Sequence, residues 1–135
     1  MAETIVFTNG CFDLFHAGHL NLLYQAKRLG DQLYVGINSD KSIFCYLDKG
    51  HDRPIIPEGE RFEIVASIKY VDRVFMFDEP TPKELIESIQ PDIIVKGGDY
   101  KPEDVVGNHI AKVVIVPLLR DISTSKIVDD IRHDI

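Results

Sequence analysis

The chain has 135 residues, 44% hydrophobic and 27% charged, which is the balance of one globular domain with one buried core. Its net charge of -7 argues against nucleic acid or an anionic membrane as partner, and no apolar run approaches the ~20 residues that a membrane span needs. Two cysteines, Cys11 and Cys45, without zinc-type pairing exclude a disulfide framework, and the opening Met1-Ala2-Glu3-Thr4 lacks the basic region of a secretory leader, so a cytoplasmic protein with free thiols is expected.

Residues 3–9 form an apolar run that stops at Gly10 and predict a buried strand. Residues 19–29 predict a helix. Leu20, Leu23 and Tyr24 share one face, and Gly30 supplies the stop. Residues 32–37 predict a second strand. Residues 40–57 are expected to be irregular because Gly50, Pro54 and Pro57 interrupt them. A helix is predicted over 59–70, with Phe62, Val65 and Ala66 on one face, and a strand over 73–77. Pro82 sits at the first turn of a helix running to about Ile89. Strands follow at 92–96, ending in Gly97-Gly98, and at 112–116, and a last helix begins near Ser123. Alternating strands and helices predict an α/β fold, a Rossmann-like parallel sheet with helices on both faces. Ligands of such sheets bind beyond the carboxyl ends of the strands. That directs attention to residues 8–19, 38–53, 96–109 and 117–126.

The first of these reads Thr8-Asn9-Gly10-Cys11-Phe12-Asp13-Leu14-Phe15-His16-Ala17-Gly18-His19. Spacing of three puts His16 and His19 on one side of a helical turn, and Gly18 lets a ligand approach the backbone. A helix N-terminus offers unpaired N–H groups and partial positive charge, which suits phosphate. Two polar loop residues, or a metal pair with Cys11 as third ligand, are the competing readings, and no third ligand has a convincing spacing.

The stretch Gly10-Cys-Phe-Asp-Leu-Phe-His16-Ala-Gly-His19 resembles the GxFDxxHxGH signature of the cytidylyltransferase-like nucleotidyltransferase family. The resemblance implies that His16 and His19 contact the triphosphate and stabilise the transition state. It also implies that the chain pairs as a homodimer; the length makes 1–135 a single nucleotidyltransferase domain, and the phosphate chemistry is expected to bring Mg2+ with the nucleotide.

Arg120-Asp-Ile-Ser123-Thr124-Ser125-Lys126-Ile127 precedes the last helix. Ser123 fits an N-cap by itself. A guanidinium, hydroxyls and helix N–H groups together would make a second anion clamp. The stretch resembles the family's second signature, RxSTT-K-I, with Ser125 in place of a threonine. Arg120, Ser123, Thr124 and Ser125 are therefore expected on phosphate.

Three further stretches resemble the adenylyltransferase half of bacterial heptose-phosphate kinase/adenylyltransferases and its stand-alone relatives: Thr8 to Asp13, Gly36-Ile-Asn38-Ser39-Asp40, and Val95-Lys96-Gly97-Gly98-Asp99-Tyr100. Glycerol-3-phosphate cytidylyltransferases typically read GDDW where this chain has Gly97-Gly98-Asp99-Tyr100. The resemblance implies ATP and heptose 1-phosphate as substrates, with CTP and an alcohol phosphate as the alternative. A nucleotide-binding paralogue without turnover is the reading from another class.

By the same resemblance the nucleotide contacts are Thr8, Asn9, Gly10, Cys11, Phe12, Gly18, Lys96, Gly97 and Asp99. Lys96 reads equally as a surface lysine at a strand end. Lys49 is expected beside the triphosphate as a catalytic cation, and Asp13, Asn38, Arg53 and Arg61 are expected on the acceptor. Residues 41–50 depart from the family pattern, with Phe44 and Cys45 where relatives carry charge. Arg61 has an alternative as a surface residue paired with Glu58 or Glu60. His109 is expected in an exposed loop.

Overall fold

Alternating apolar strands bury both faces of a parallel sheet, and that is the architecture found. A computed structural model describes residues 2–47, 49–50, 52–117 and 123–133. The strands are β1 (Ile5–Gly10), β2 (Gln32–Asn38), β3 (Arg73–Phe77), β4 (Ile93–Gly97) and β5 (Lys112–Val116). They pair in parallel in the order β3-β2-β1-β4-β5. The order reverses at β1, so the switch point of the sheet lies between β1 and β4.

The helices are α1 (Ala17–Lys27), α2 (Asp40–Tyr46), α3 (Glu58–Ala66), α4 (Lys83–Ile89) and α5 (Thr124–His133), with a short 3-10 helix at Pro102–Asp104. Side chains alternate between two cores, as strand geometry requires. On one face Leu23 and Ala26 of α1 and Val65 of α3 pack on Val6, Leu33, Val35, Ile37 and Val95. On the other, Ile86 of α4 and Val105 pack on Phe7 and Ile94. Gly107 turns the chain under that second core at a φ of +90°, and a Cβ there would lie 2.7 Å from Ile94 Cδ1.

The expected strands and the four expected helices are present. Two corrections concern helices. Residues 40–46, expected to be irregular, form α2, because the Ser39 hydroxyl accepts from the Ser42 N–H (3.0 Å) and Asp40 lies in the first turn. The breakers Gly50, Pro54 and Pro57 all lie beyond it. The helix expected over 59–70 is α3 and ends at Ala66, where Ser67 caps it and the chain turns through Ile68 into Val71.

Candidate active site

The loop from β1 to α1 sets the geometry. Phe12 and Leu14 both adopt left-handed backbone angles, φ 53° and 48°, which cost roughly 1–3 kcal/mol each for such residues. Asp13 between them offsets that cost. Its buried carboxylate accepts from the N–H groups of Ile55 (2.8 Å) and Ile56 (2.9 Å) and from Arg53 Nε (3.2 Å). The loop leads directly into α1, where His16 is the N-cap.

The two histidines cap α1 reciprocally. His16 Nδ1 accepts from the Gly18 N–H at 3.0 Å, and His19 Nδ1 accepts from the His16 N–H at 3.2 Å. A ring nitrogen that accepts an N–H bond carries no proton, so each imidazole bears its proton on Nε2. The rings stack with centroids 3.8 Å apart, and His19 also packs against Phe12 and Phe15. Burial lowers the pKa of His16. For His19, burial and then the neighbouring His16 bring it down to about 4, and Asp13 opposes them with a pull that Lys49 only partly offsets. Both rings are therefore neutral hydrogen-bond donors at pH 7.

The N-terminus of α5 meets this loop. Thr124 Oγ1 donates to the Asp13 carbonyl, and Ser123 Oγ accepts from the Lys126 N–H at 3.0 Å, the N-cap expected of it. Far along α5, Arg132 pairs with Asp52, the neighbour of Arg53 in the chain. Two helix N-termini thus converge on one cavity of ≈ 760 Å³, a size suited to small-molecule substrates.

Most of the expected site residues line that cavity: Asn9, Gly10, Cys11, Phe12, Asp13, His16, Gly18, His19, Asn38, Lys49, Arg53, Lys96, Gly97, Ser123, Thr124 and Ser125. Arg120 lies outside the described residues. Lys96 is half-buried rather than a surface lysine, its ammonium 5.2 Å from the centre of the Tyr100 ring, and burial lowers its pKa. Burial also raises the pKa of the Cys11 thiol against the pull of Lys49 and Arg61. His109 is exposed, as expected.

Four residues play a different part from the one expected. Thr8 is fully buried and off the cavity, because its hydroxyl donates to the Val95 carbonyl (2.8 Å) and ties β1 to β4. Asp99 is exposed and does not line the cavity, whereas Tyr100 does. Asp13 spends its carboxylate inside the fold, as described. Arg61 is fully buried, not on the surface. Its guanidinium donates to the carbonyls of Ile56 (2.9 Å), Cys11 (2.7 Å) and Asn38 (2.7 Å) and pairs with Asp40 (2.8 Å). It therefore staples the cavity floor, and Glu58 instead accepts from the Asp40 N–H.

The sequence reading missed Pro80, Thr81, Pro82, Asp104 and Val105, which also line the cavity. A signal existed for the first three. They follow β3, and the carboxyl end of every strand in a parallel sheet is a place to look.

Parallel strands that feed two helix N-termini and a pair of neutral imidazoles into one cavity suit the handling of phosphate chains. Residues 7–130 match the Cytidylyltransferase-like family, and the chain belongs to it. The bifunctional protein HldE of Nitratiruptor sp. is 52% identical over 131 residues, covering 96% of this chain and 28% of that protein. HldE of Campylobacter jejuni is 50% identical over 131 residues, again 96% of this chain and 28% of that protein. The chain spans little more than a quarter of the length of these relatives.

Among solved structures, a lipopolysaccharide core biosynthesis protein from Thermoplasma volcanium matches with a TM-score of 0.72 at 27% identity, covering 88% of this chain and 98% of that one. A pantothenate synthetase from Thermus thermophilus shares the fold, with a TM-score of 0.63 at 17% identity over 88% of this chain and 57% of that one. No helix among the described residues is long and apolar enough to cross a membrane.

Proposed function

We propose that the protein transfers AMP from ATP to a heptose 1-phosphate, giving an ADP-heptose and pyrophosphate. The observation that carries the reading is the pair of neutral imidazoles capping α1, with the hydroxyls of Ser123 and Thr124 at the second helix N-terminus on the same cavity. A phosphate oxygen of the acceptor attacks the α-phosphorus of ATP in line. The bond from that phosphorus to the bridging oxygen breaks, and its electron pair leaves with pyrophosphate. An acceptor phosphate dianion needs no general base, so donors, rather than a proton acceptor, are what the chemistry requires. The Nε2–H groups of His16 and His19 stabilise charge developing on the phosphate oxygens. One such donor is worth ~2.7–4 kcal/mol. Positioning of the two substrates supplies a further part of the barrier reduction.

Three of the curated relatives' features support the acceptor assignment: the name HldE, the near-complete cover of this chain, and about half of its residues identical. The Thermoplasma volcanium structure is described as a lipopolysaccharide core biosynthesis protein, which agrees with a sugar acceptor. The Gly97-Gly98-Asp99-Tyr100 stretch favours the adenylyltransferases over the glycerol-phosphate enzymes.

Mg2+ accompanies the triphosphate in this reading. Among the described residues no three His, Cys, Asp or Glu side chains gather to hold an ion, and both Asp13 oxygens are engaged. The described residues offer no cage for the ion, so no catalytic step here is assigned to it. The test is a phosphorus NMR spectrum of enzyme, MgATP and heptose 1-phosphate. The reading expects a sugar diphosphate doublet pair and pyrophosphate to appear together as ATP falls. ATP unchanged, or hydrolysed without a sugar diphosphate, would overturn it.

A further inference from the structure

The cavity reaches around the carboxyl edge of the sheet onto both faces, and the two arms differ in chemistry. The α1 side is where the histidine-capped helix enters. There Gly97 faces Leu22, since a Cβ on it would lie 3.4 Å from Leu22 Cδ1, and Val116 belongs to the same core. Apolar walls on that side suit a flat nucleobase.

The α4 side is polar at its rim, and strand alternation explains why. In β4, Val95 packs in the α1 core and Ile94 in the α4 core, which places Lys96 on the α4 side. In β1, Phe7 packs in the α4 core, so Asn9 follows it on that side. In β2, Gly36 looks at Phe7 and Leu85 of the α4 core, so Asn38 two residues on does the same. Its amide donates to Ser42 Oγ, whose hydroxyl in turn donates to the Glu79 carbonyl just ahead of α4. The β1–β4 register sets Phe7 against Ile94, and continuing it brings Asn9 beside Lys96. Three neighbouring strands thus end in Asn38, Asn9 and Lys96 on one face. Thr81 and Asp104 line the same cavity, from the segments before α4 and after β4, and Val105 beside Asp104 packs in the α4 core.

Among the described residues no carboxylate pairs with Lys96. A half-buried ammonium with no counter-ion among the described residues, next to a side-chain amide and open to a cavity, fits an anion that arrives with the ligand. A carboxylate and a hydroxyl lining the same cavity fit the hydroxyls of a polyol.

We propose that the acceptor binds on the α4 side of the sheet edge, with its phosphate on Lys96 and Asn9 and its hydroxyls on Asp104 and Thr81. Lys96 thereby becomes an acceptor residue rather than a nucleotide contact. The assignment rests on the nucleotidyl-transfer reading, and holds for any phosphorylated polyol that the enzyme turns over.

The test compares wild type, Lys96→Ala, Lys96→Arg and Asp104→Asn by steady-state pyrophosphate release. The wild type is first assayed with ATP and heptose 1-phosphate and with CTP and glycerol 3-phosphate, and the faster pair is used for the variants. Faster turnover of the second pair would refute the heptose reading and leave the acceptor arm to be judged on its own. In the chosen pair, Lys96→Ala is expected to raise the acceptor KM at least 20-fold with the nucleotide KM within 3-fold of wild type. Lys96→Arg should recover most of that loss. Asp104→Asn should raise the acceptor KM at least 5-fold. A rise confined to the nucleotide KM, or no rise in either, would overturn the assignment.

Discussion

Replacing His19 by alanine separates the catalytic and structural parts of the histidine pair. The substitution removes one Nε2–H donor from the cavity, one backbone cap at 3.2 Å, and a ring packed 5.3 Å from both Phe12 and Phe15. The lost cap and packing cost about 2 kcal/mol of stability, and at ~4 °C per kcal/mol for a chain of this size Tm falls by about 8 °C. The lost donor costs ~2.7–4 kcal/mol in the transition state, which is a 100- to 1,000-fold fall in kcat. The assay is pyrophosphate release at saturating substrates and 25 °C, where the variant stays folded. His19→Gln supplies the side chain that the reciprocal cap prefers at this helix position. It should restore most of the Tm while kcat stays at least tenfold below wild type. A His19→Ala enzyme that is folded and within tenfold of wild-type kcat would refute the reasoning.

Other outcomes follow from the same geometry. The donors are neutral imidazoles, so from pH 8 downward kcat should follow the acceptor phosphate, whose second pKa is about 6, with His19 adding a further fall only as pH approaches its pKa of about 4; an additional fall near 6.5 that disappears in His19→Gln would contradict it. The His19 pKa is lower in the folded chain than in the unfolded one. The unfolded state therefore binds more protons between about 6.5 and 4, and stability to denaturant should decline as pH falls through that window. Arg61→Met removes bonds to three carbonyls and to Asp40; it should lower unfolding free energy by ~3 kcal/mol or more and cut kcat through the displaced floor, as urea titration and turnover would show. Gly107→Ala combines a positive φ with a 2.7 Å contact and should cost ~1–3 kcal/mol by urea unfolding, with KM values unchanged in the remaining folded enzyme.

The sheet was legible because each strand is a short apolar run closed by a turn residue, and the alternation with helices forces the parallel order. The histidine pair was legible because its spacing and the glycine between fall at a strand-to-helix junction. Helix α2 escaped because its apolar side chains do not form a stripe: Phe44 and Tyr46 are exposed. Its one local signal was the Ser39-Asp40 cap. Arg61 and Asp13 show a second kind of limit. A charged residue near a site reads as a ligand contact, but these two spend their hydrogen bonds holding loops that are 40 or more residues apart in the chain. Thr81 and Asp104 both follow strands, but nothing in their immediate neighbours marks either as a site residue. They meet the site only once β3 and β4 lie on either side of the central strands.

The most direct test of the account is a panel of pyrophosphate release with Mg2+, crossing ATP, CTP, GTP and UTP with heptose 1-phosphate and glycerol 3-phosphate. The account predicts release with ATP and heptose 1-phosphate at a rate at least tenfold above every other pair. Release with CTP and glycerol 3-phosphate alone would contradict the substrates. ATP bound without pyrophosphate release from any pair would contradict the transfer itself.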